Sequence, residues 1–213
     1  MISAKGLILA PSLLLLGLGT PQAATAEQAP RRMDSAVTEP IQSIVSGEIQ
    51  DVDALIAMAT SVERGDPDAS ITIMEFGDFQ CPACQHFALV VKPQIDSAYV
   101  DEGVARFEFH DFPLVTLHPH AFFAARAGRC ALDQGGPNFW AFHDRLYAGQ
   151  ETWAESRSAP GDMFVAYAAS IGLDVNNFAN CLNSDRHADV ISANMRLGTE
   201  IGVSGTPTLV VGE

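Results

Sequence analysis

The stretch Ile71-Thr72-Ile73-Met74-Glu75-Phe76-Gly77-Asp78-Phe79-Gln80-Cys81-Pro82-Ala83-Cys84 decides the fold. Its first six residues form an apolar run with β-branched side chains, the pattern of a buried strand. Cys81-Pro82-Ala83-Cys84 follows, and a helical pattern continues to about Val100. Pro82 suits a first helical turn, where its missing N–H costs nothing. Two cysteines two residues apart can close a small disulfide ring. At a helix start the unsatisfied N–H groups and aligned peptide dipoles favour a thiolate over a thiol. Cys81 is therefore expected to be the nucleophile with a depressed pKa, and Cys84, one turn in, the more buried resolving thiol. A stabilised Cys81 thiolate favours the reduced form, which makes the disulfide form an oxidant. The competing reading of an isolated CxxC is half a zinc site. That needs two more ligands, and Cys130 and Cys181 stand alone rather than as a second CxxC, so no metal is assigned.

Downstream, Ala105, Phe107 and Phe109 alternate with Arg106 and Glu108, which marks a second strand. Pro93 falls inside the first helical stretch and predicts a kink. From 118 to about 201 helical patterns recur at 121–132, 139–148, 163–170, 175–182 and 185–201, with Asp174 and Ser184 as N-cap candidates. A third strand, 208–211, follows Gly205-Thr206-Pro207. The order strand, helix, strand, helical block, strand predicts an α/β domain over 65–213 with an all-helical insertion at about 112–201.

Upstream, Arg64-Gly65-Asp66-Pro67-Asp68 reads as a turn, and apolar spacing from Ile41 to Ala59 is mostly helical. With the polar stretch 27–40 this makes 27–64 a leader and N-terminal helical segment. Residues 1–26 have the layout of a cleaved signal peptide. Lys5 is followed by an apolar run from Gly6 to Gly19, and Ala24-Thr25-Ala26 places small residues before a cleavage point. The alternative is an uncleaved anchor, against which Pro11 and the short apolar core argue. Export to a periplasmic or other oxidising compartment is the expectation, and disulfides persist there.

The 213 residues are 47% hydrophobic and 18% charged, a globular composition. Twelve Lys and Arg against 26 Asp and Glu leave a net charge of −14, which repels phosphate backbones and argues against a nucleic-acid partner. His110, His118 and His120 fall close together, but the arrangement around Pro119 favours loop and capping roles over metal binding.

The segment Glu75–Cys84 resembles the active-site region of the DsbA-like, thioredoxin-fold thiol–disulfide oxidoreductases. The same family is matched in order and spacing by Asp111-Phe112-Pro113-Leu114 with His118-Pro119, by Phe139-Trp140 with His143-Asp144, by Phe178 with Cys181-Leu182, and by Gly202-Val203-Ser204-Gly205-Thr206-Pro207-Thr208. The resemblance runs from about Gly65 to the end. It implies a thioredoxin-like fold and an exported enzyme that exchanges the Cys81–Cys84 disulfide with substrate protein thiols, as an oxidase in disulfide formation. It implies no dissociable cofactor, and a membrane partner that reoxidises the pair. The oligomeric state stays open. An isomerase or reductase would use the same residues. A non-catalytic chaperone or copper-binding protein would use CxxC to capture peptide or a soft metal.

Residue by residue, the resemblance makes Pro207 a cis-proline facing the redox pair. Thr206 would offer backbone groups to an extended substrate, and Pro82 and Ala83 complete the substrate-facing set. Glu75 becomes a buried acid that assists proton transfer at Cys84, with a raised pKa; the alternative is a strand-end carboxylate reaching solvent. Cys130 and Cys181 correspond to a structural disulfide of some relatives, and the alternative is two buried thiols packed as small hydrophobes. Six residues follow Pro207, so the last antiparallel strand and C-terminal helix of the fold are expected to be missing and strand 208–211 to form an open edge.

Overall fold

The computed structural model describes Ala54 and residues 57–213. The expected signal peptide, the leader and most of the segment 41–59 lie outside the described residues, although Ala54, Ala57 and Met58 are helical. The described part is a mixed four-stranded sheet in the order β1-β3-β2-β4, where β1 is Val62–Arg64, β2 Ile71–Gly77, β3 Ala105–Asp111 and β4 Thr208–Gly212. β2 and β3 run parallel, with Ile73 beside Phe107 and Glu75 beside Phe109. β1 joins β3, and β4 joins β2, both antiparallel. This is the thioredoxin-like arrangement.

Strand β1 falls where the sequence reads as the end of a helical segment and a turn. Val62-Glu63-Arg64 is too short to show alternation. Tertiary bonds fix it instead: its ladder with β3 and the Trp140 indole donating to the Glu63 carbonyl at 3.0 Å. Gly65, at φ +104°, then makes a turn that a side chain would strain.

The helical stretch after β2 is α1 (Pro82–His86), a π-helical turn (Phe87–Val91), α2 (Lys92–Ile95) and a second π-helical turn (Asp96–Val100). Pro93 sits in the first turn of α2, directly after the widened segment. A π turn spares an inserted proline its clash with the carbonyl one turn back, so the irregularity expected at Pro93 takes the form of a change in helical winding.

Between β3 and β4 lie six helices: α3 (Ala121–Leu132), α4 (Gly136–Ala148), α5 (Gln150–Ala154), α6 (Gly161–Ser170), α7 (Val175–Leu182) and α8 (Ala188–Glu200). Asp174 caps α7, accepting the amides of Asn176 and Asn177 at 2.9 and 3.0 Å. Ser184 does not cap α8. Its hydroxyl donates back to the Cys181 carbonyl at 2.7 Å, an intervening turn moves the helix start, and His187 occupies the N-cap. Helix α5, five residues long, carries too little periodicity to be read from sequence.

One sheet face carries Ile73, Phe107 and Phe109, and packs with Phe79, Phe87, Phe139 and Trp140 into the main core. The other face carries Phe76 and His110, stacked at 4.9 Å, beneath Phe112, Val203 and α8. Cys130 of α3 and Cys181 of α7 form a disulfide with Cα atoms 5.7 Å apart. Both sulfurs belong to the main core. Strand β4 is an edge of the described sheet, and Leu209, Val210 and Val211 are exposed along it.

Candidate active site

Strand β2 and helix α1 place Cys81 and Cys84 at the C-terminal end of the parallel strand pair. Cys81 is the N-cap of α1, with extended backbone (φ −74°, ψ 124°), and Pro82 opens the helix. Both cysteines are thiols. Cys84 is fully buried and Cys81 is 7% exposed, while Pro82 and Ala83 between them face solvent. The Cys81 thiol is pulled down to about 5, first by a hydrogen bond from the Cys84 thiol, then by the Thr206 contact and the amides of Cys84 and Ala83, against the opposing effect of burial. Cys84 is driven far up, first because its proton is shared with Cys81 and then by burial. A single proton between two sulfurs thus separates a nucleophile from a reserve thiol.

The loop before β4 closes over this pair. Thr206–Pro207 is a cis peptide bond, and the Cys81 thiol points to the Thr206 carbonyl at 3.4 Å. Thr206 and Pro207 are partly exposed. Pro82 and Ala83, exposed beside Cys81 in the chain, and the Thr206 carbonyl, 3.4 Å from its sulfur, are its neighbours toward solvent.

On β2, which leads into the pair, Glu75 is completely buried on the core face. Neither carboxylate oxygen has a hydrogen-bond partner among the described residues. A side chain at Gly77 would collide with the Phe109 ring and come within 3.1 Å of Glu75 Oε1, so the glycine makes room for the ring packed beside the carboxyl. Burial raises the Glu75 pKa to about 8, partly offset by the Lys92 ammonium. Lys92 is itself buried, bonded to Asp96 at 2.7 Å and lying 4.6 and 4.4 Å from the Phe107 and Trp140 ring centres. The Glu75 carboxyl does not reach solvent.

Four residues that sequence reading did not assign hold this site in place. Asp78 is buried. Its carboxylate accepts the Gln80 amide (2.7 Å), the Leu114 amide (2.9 Å) and His118 Nδ1 (2.6 Å), and its own amide points to Cys84 Sγ at 3.5 Å. Gln80 bonds the Ala154 carbonyl and the His120 amide. Gln150, on α5, donates to the carbonyls of Phe79 (2.7 Å) and Cys81 (3.0 Å). Gln85 donates to the Tyr147 carbonyl. The helical insertion is thereby tied to both ends of the Cys81 turn. Position Asp78, three residues before Cys81, was the legible signal; the partners are distant in sequence.

His110, His118 and His120 do not converge. His110 bonds Asn194, His118 bonds Asp78, and His120 caps α3 while its Nε2 contacts the Ser156 carbonyl.

The family model described as thioredoxin matches residues 58–213. A probable disulfide bond formation protein D of Bacillus cereus is 26% identical over 170 residues, covering 79% of this chain and 78% of that protein. Na(+)/H(+) antiporter NhaA 3 of Salinispora tropica is 35% identical over 148 residues, which cover 70% of this chain. The match spans 21% of the antiporter, about a fifth of its length. Among solved structures, oxidised BdbD from Bacillus subtilis is 26% identical with a TM-score of 0.63, over 71% of this chain and 80% of that one. Matched by the family model over most of its length, and carrying strand, Cys81–Cys84 helix start, cis-proline and helical insertion in one arrangement, the chain belongs to the thioredoxin family and is similar to its DsbA-like members.

Proposed function

We propose that the protein is an exported oxidase that passes the Cys81–Cys84 disulfide to thiols of substrate proteins. A substrate thiolate attacks Cys81 Sγ, the more accessible of the two sulfurs, and forms a mixed disulfide. Cys84 leaves and takes up a proton, for which the Glu75 carboxyl, poised at about 8, is the buried donor. A second substrate thiolate then attacks the substrate sulfur of the mixed disulfide, and Cys81 departs as a thiolate. Two electrons move from substrate to the cysteine pair, and the substrate gains a disulfide. Extended substrate backbone lies against Thr206 and Pro207. A membrane-bound oxidant that accepts the two electrons would complete the cycle.

The observation that carries the oxidase reading is the Cys81 thiol at about 5. A thiolate stabilised in the reduced protein makes the disulfide a strong oxidant and a good leaving group. The relatives named for disulfide bond formation fit that direction. The test is the equilibrium potential of Cys81–Cys84 in glutathione buffers, followed by alkylation. A value at or above about −150 mV, with oxidative refolding of a reduced protein substrate, supports the oxidase. A value near about −250 mV would assign the same residues to a reductase.

A further inference from the structure

Away from the redox pair, three helix ends meet around the Cys130–Cys181 disulfide. Cys130 lies in the last turn of α3, Asp133 is the α3 C-cap, Cys181 sits in the last turn of α7, and His187 is the N-cap of α8. A ligand atom from each of Cys130, Cys181 and His187 falls within 4.8 Å of the others. The Asp133 carboxylate completes a fourth corner, with Oδ2 3.5 Å from Cys181 Sγ and 3.1 Å from His187 Nε2. Among the described residues this is the cluster of His, Cys, Asp or Glu with metal-ligand spacing. In sequence Cys130 and Cys181 stand alone, 51 positions apart, so only the fold brings the donor set together.

We propose that reduction of this disulfide converts the junction into a four-coordinate site for zinc, with the Cys130 and Cys181 thiolates, His187 and Asp133 as ligands. Donor atoms around tetrahedral zinc stand roughly 3.2 to 3.8 Å apart, given bonds of about 2.3 Å to sulfur and 2.0 to 2.2 Å to nitrogen or oxygen. The sulfur–oxygen distance of 3.5 Å already lies in that range, and the nitrogen–oxygen distance of 3.1 Å falls just below it. Only the two sulfurs must part. An external dithiol or phosphine supplies the two electrons that break the S–S bond. Zinc then displaces both thiol protons to solvent. Arg186, which now bonds Asp133 Oδ2 at 2.9 Å, passes to the second carboxylate oxygen when Oδ2 takes the metal and orients the ligand from there. A surface cleft lined by Leu132, Arg186, His187 and Val190 opens beside the junction and gives the ion a path in. The disulfide and the metal would be alternative staples on one helix junction, one for oxidising and one for reducing surroundings.

The test uses the full chain with Cys81→Ser and Cys84→Ser, so that the remaining thiols are Cys130 and Cys181. After phosphine reduction, Co2+ is added as the spectroscopic probe and Zn2+ as competitor. The proposal expects one equivalent of Co2+ bound with sulfur-to-cobalt charge-transfer and tetrahedral d–d bands, displaced by Zn2+. His187→Ala and Asp133→Ala should each weaken binding at least about tenfold, and the oxidised protein should show no such bands. Absence of thiolate bands in the reduced protein overturns it. So does binding that His187→Ala and Asp133→Ala leave unchanged, or a reduced chain that has lost its helical circular dichroism and does not regain it with Zn2+.

Discussion

Two cysteine pairs in one chain have opposite characters, and neither owes its character to the cysteines themselves. Cys81 and Cys84 share a turn, sit at a helix start and touch the cis Thr206–Pro207 bond. One proton between them is held by Cys84, so Cys81 is left as a thiolate near neutral pH. Cys130 and Cys181 come from different helices and are sealed in the main core, where they tie α3 to α7. Local hydrogen bonding makes the first pair exchangeable. Burial and long sequence separation make the second a cross-link.

The strongest way to break this contrast is Cys81→Ser. Oxidative refolding activity should fall to background in a refolding assay, while Cys84→Ser should accumulate mixed disulfides visible on non-reducing gels. Retained activity in Cys81→Ser would mean that the exchangeable sulfur lies elsewhere.

Glu75→Gln sharpens the contrast from the proton side. It removes the buried β2 carboxyl proposed as proton donor to Cys84 and should lower the rate of exchange on the order of 10²-fold in stopped-flow measurements. Its stability effect has a definite sign. Glu75 binds its proton more tightly folded (about 8) than unfolded (4.5, the ordinary value), so the native state loses stability as pH rises through that interval. Glu75→Gln should therefore be more stable than the parent above about pH 5, with the gap widening up to about pH 8 in urea melts. A gap that stays constant with pH would place the carboxyl in solvent.

Gln150→Leu tests the strap from the insertion. It leaves the Phe79 carbonyl without its Gln150 donor and the Cys81 carbonyl with the Gln85 amide alone, at a cost of about 1–3 kcal/mol. A few-fold loss of exchange rate and a displaced Cys81 titration are expected, with the Cys130–Cys181 disulfide intact.

The smallest effect on the redox centre belongs to Cys130→Ala with Cys181→Ala. Opening a cross-link that spans 51 residues costs about 4 kcal/mol in the chain-entropy model, read as a lower urea midpoint. The Cys81 titration should stay where it is. A shift would mean that the two pairs are coupled through the insertion.

The sequence was most readable where chemistry and periodicity coincide. Strand β2, the CxxC at a helix start, strand β3 and helices α3 and α7 follow from local pattern and capping residues such as Asp174. Strand β1 and helix α5 escaped because three and five residues carry no period, and only tertiary bonds hold them. The supports of the site escaped for a related reason. Gln150 and His118 reach the active-site loop over 69 and 40 positions, and glutamine or histidine in a helical block announces nothing. Even the low Cys81 pKa has a different leading cause from the one the helix start suggests: the Cys84 thiol outranks the backbone amides.

The most direct test of the account is a pH titration of thiolate absorbance at 240 nm in the reduced protein with Cys130 and Cys181 still bridged, repeated in Cys81→Ser. A single transition near pH 5 that disappears in Cys81→Ser is the predicted result. A transition near 9, or one that survives the substitution, would contradict a Cys81 thiolate at the centre of the chemistry.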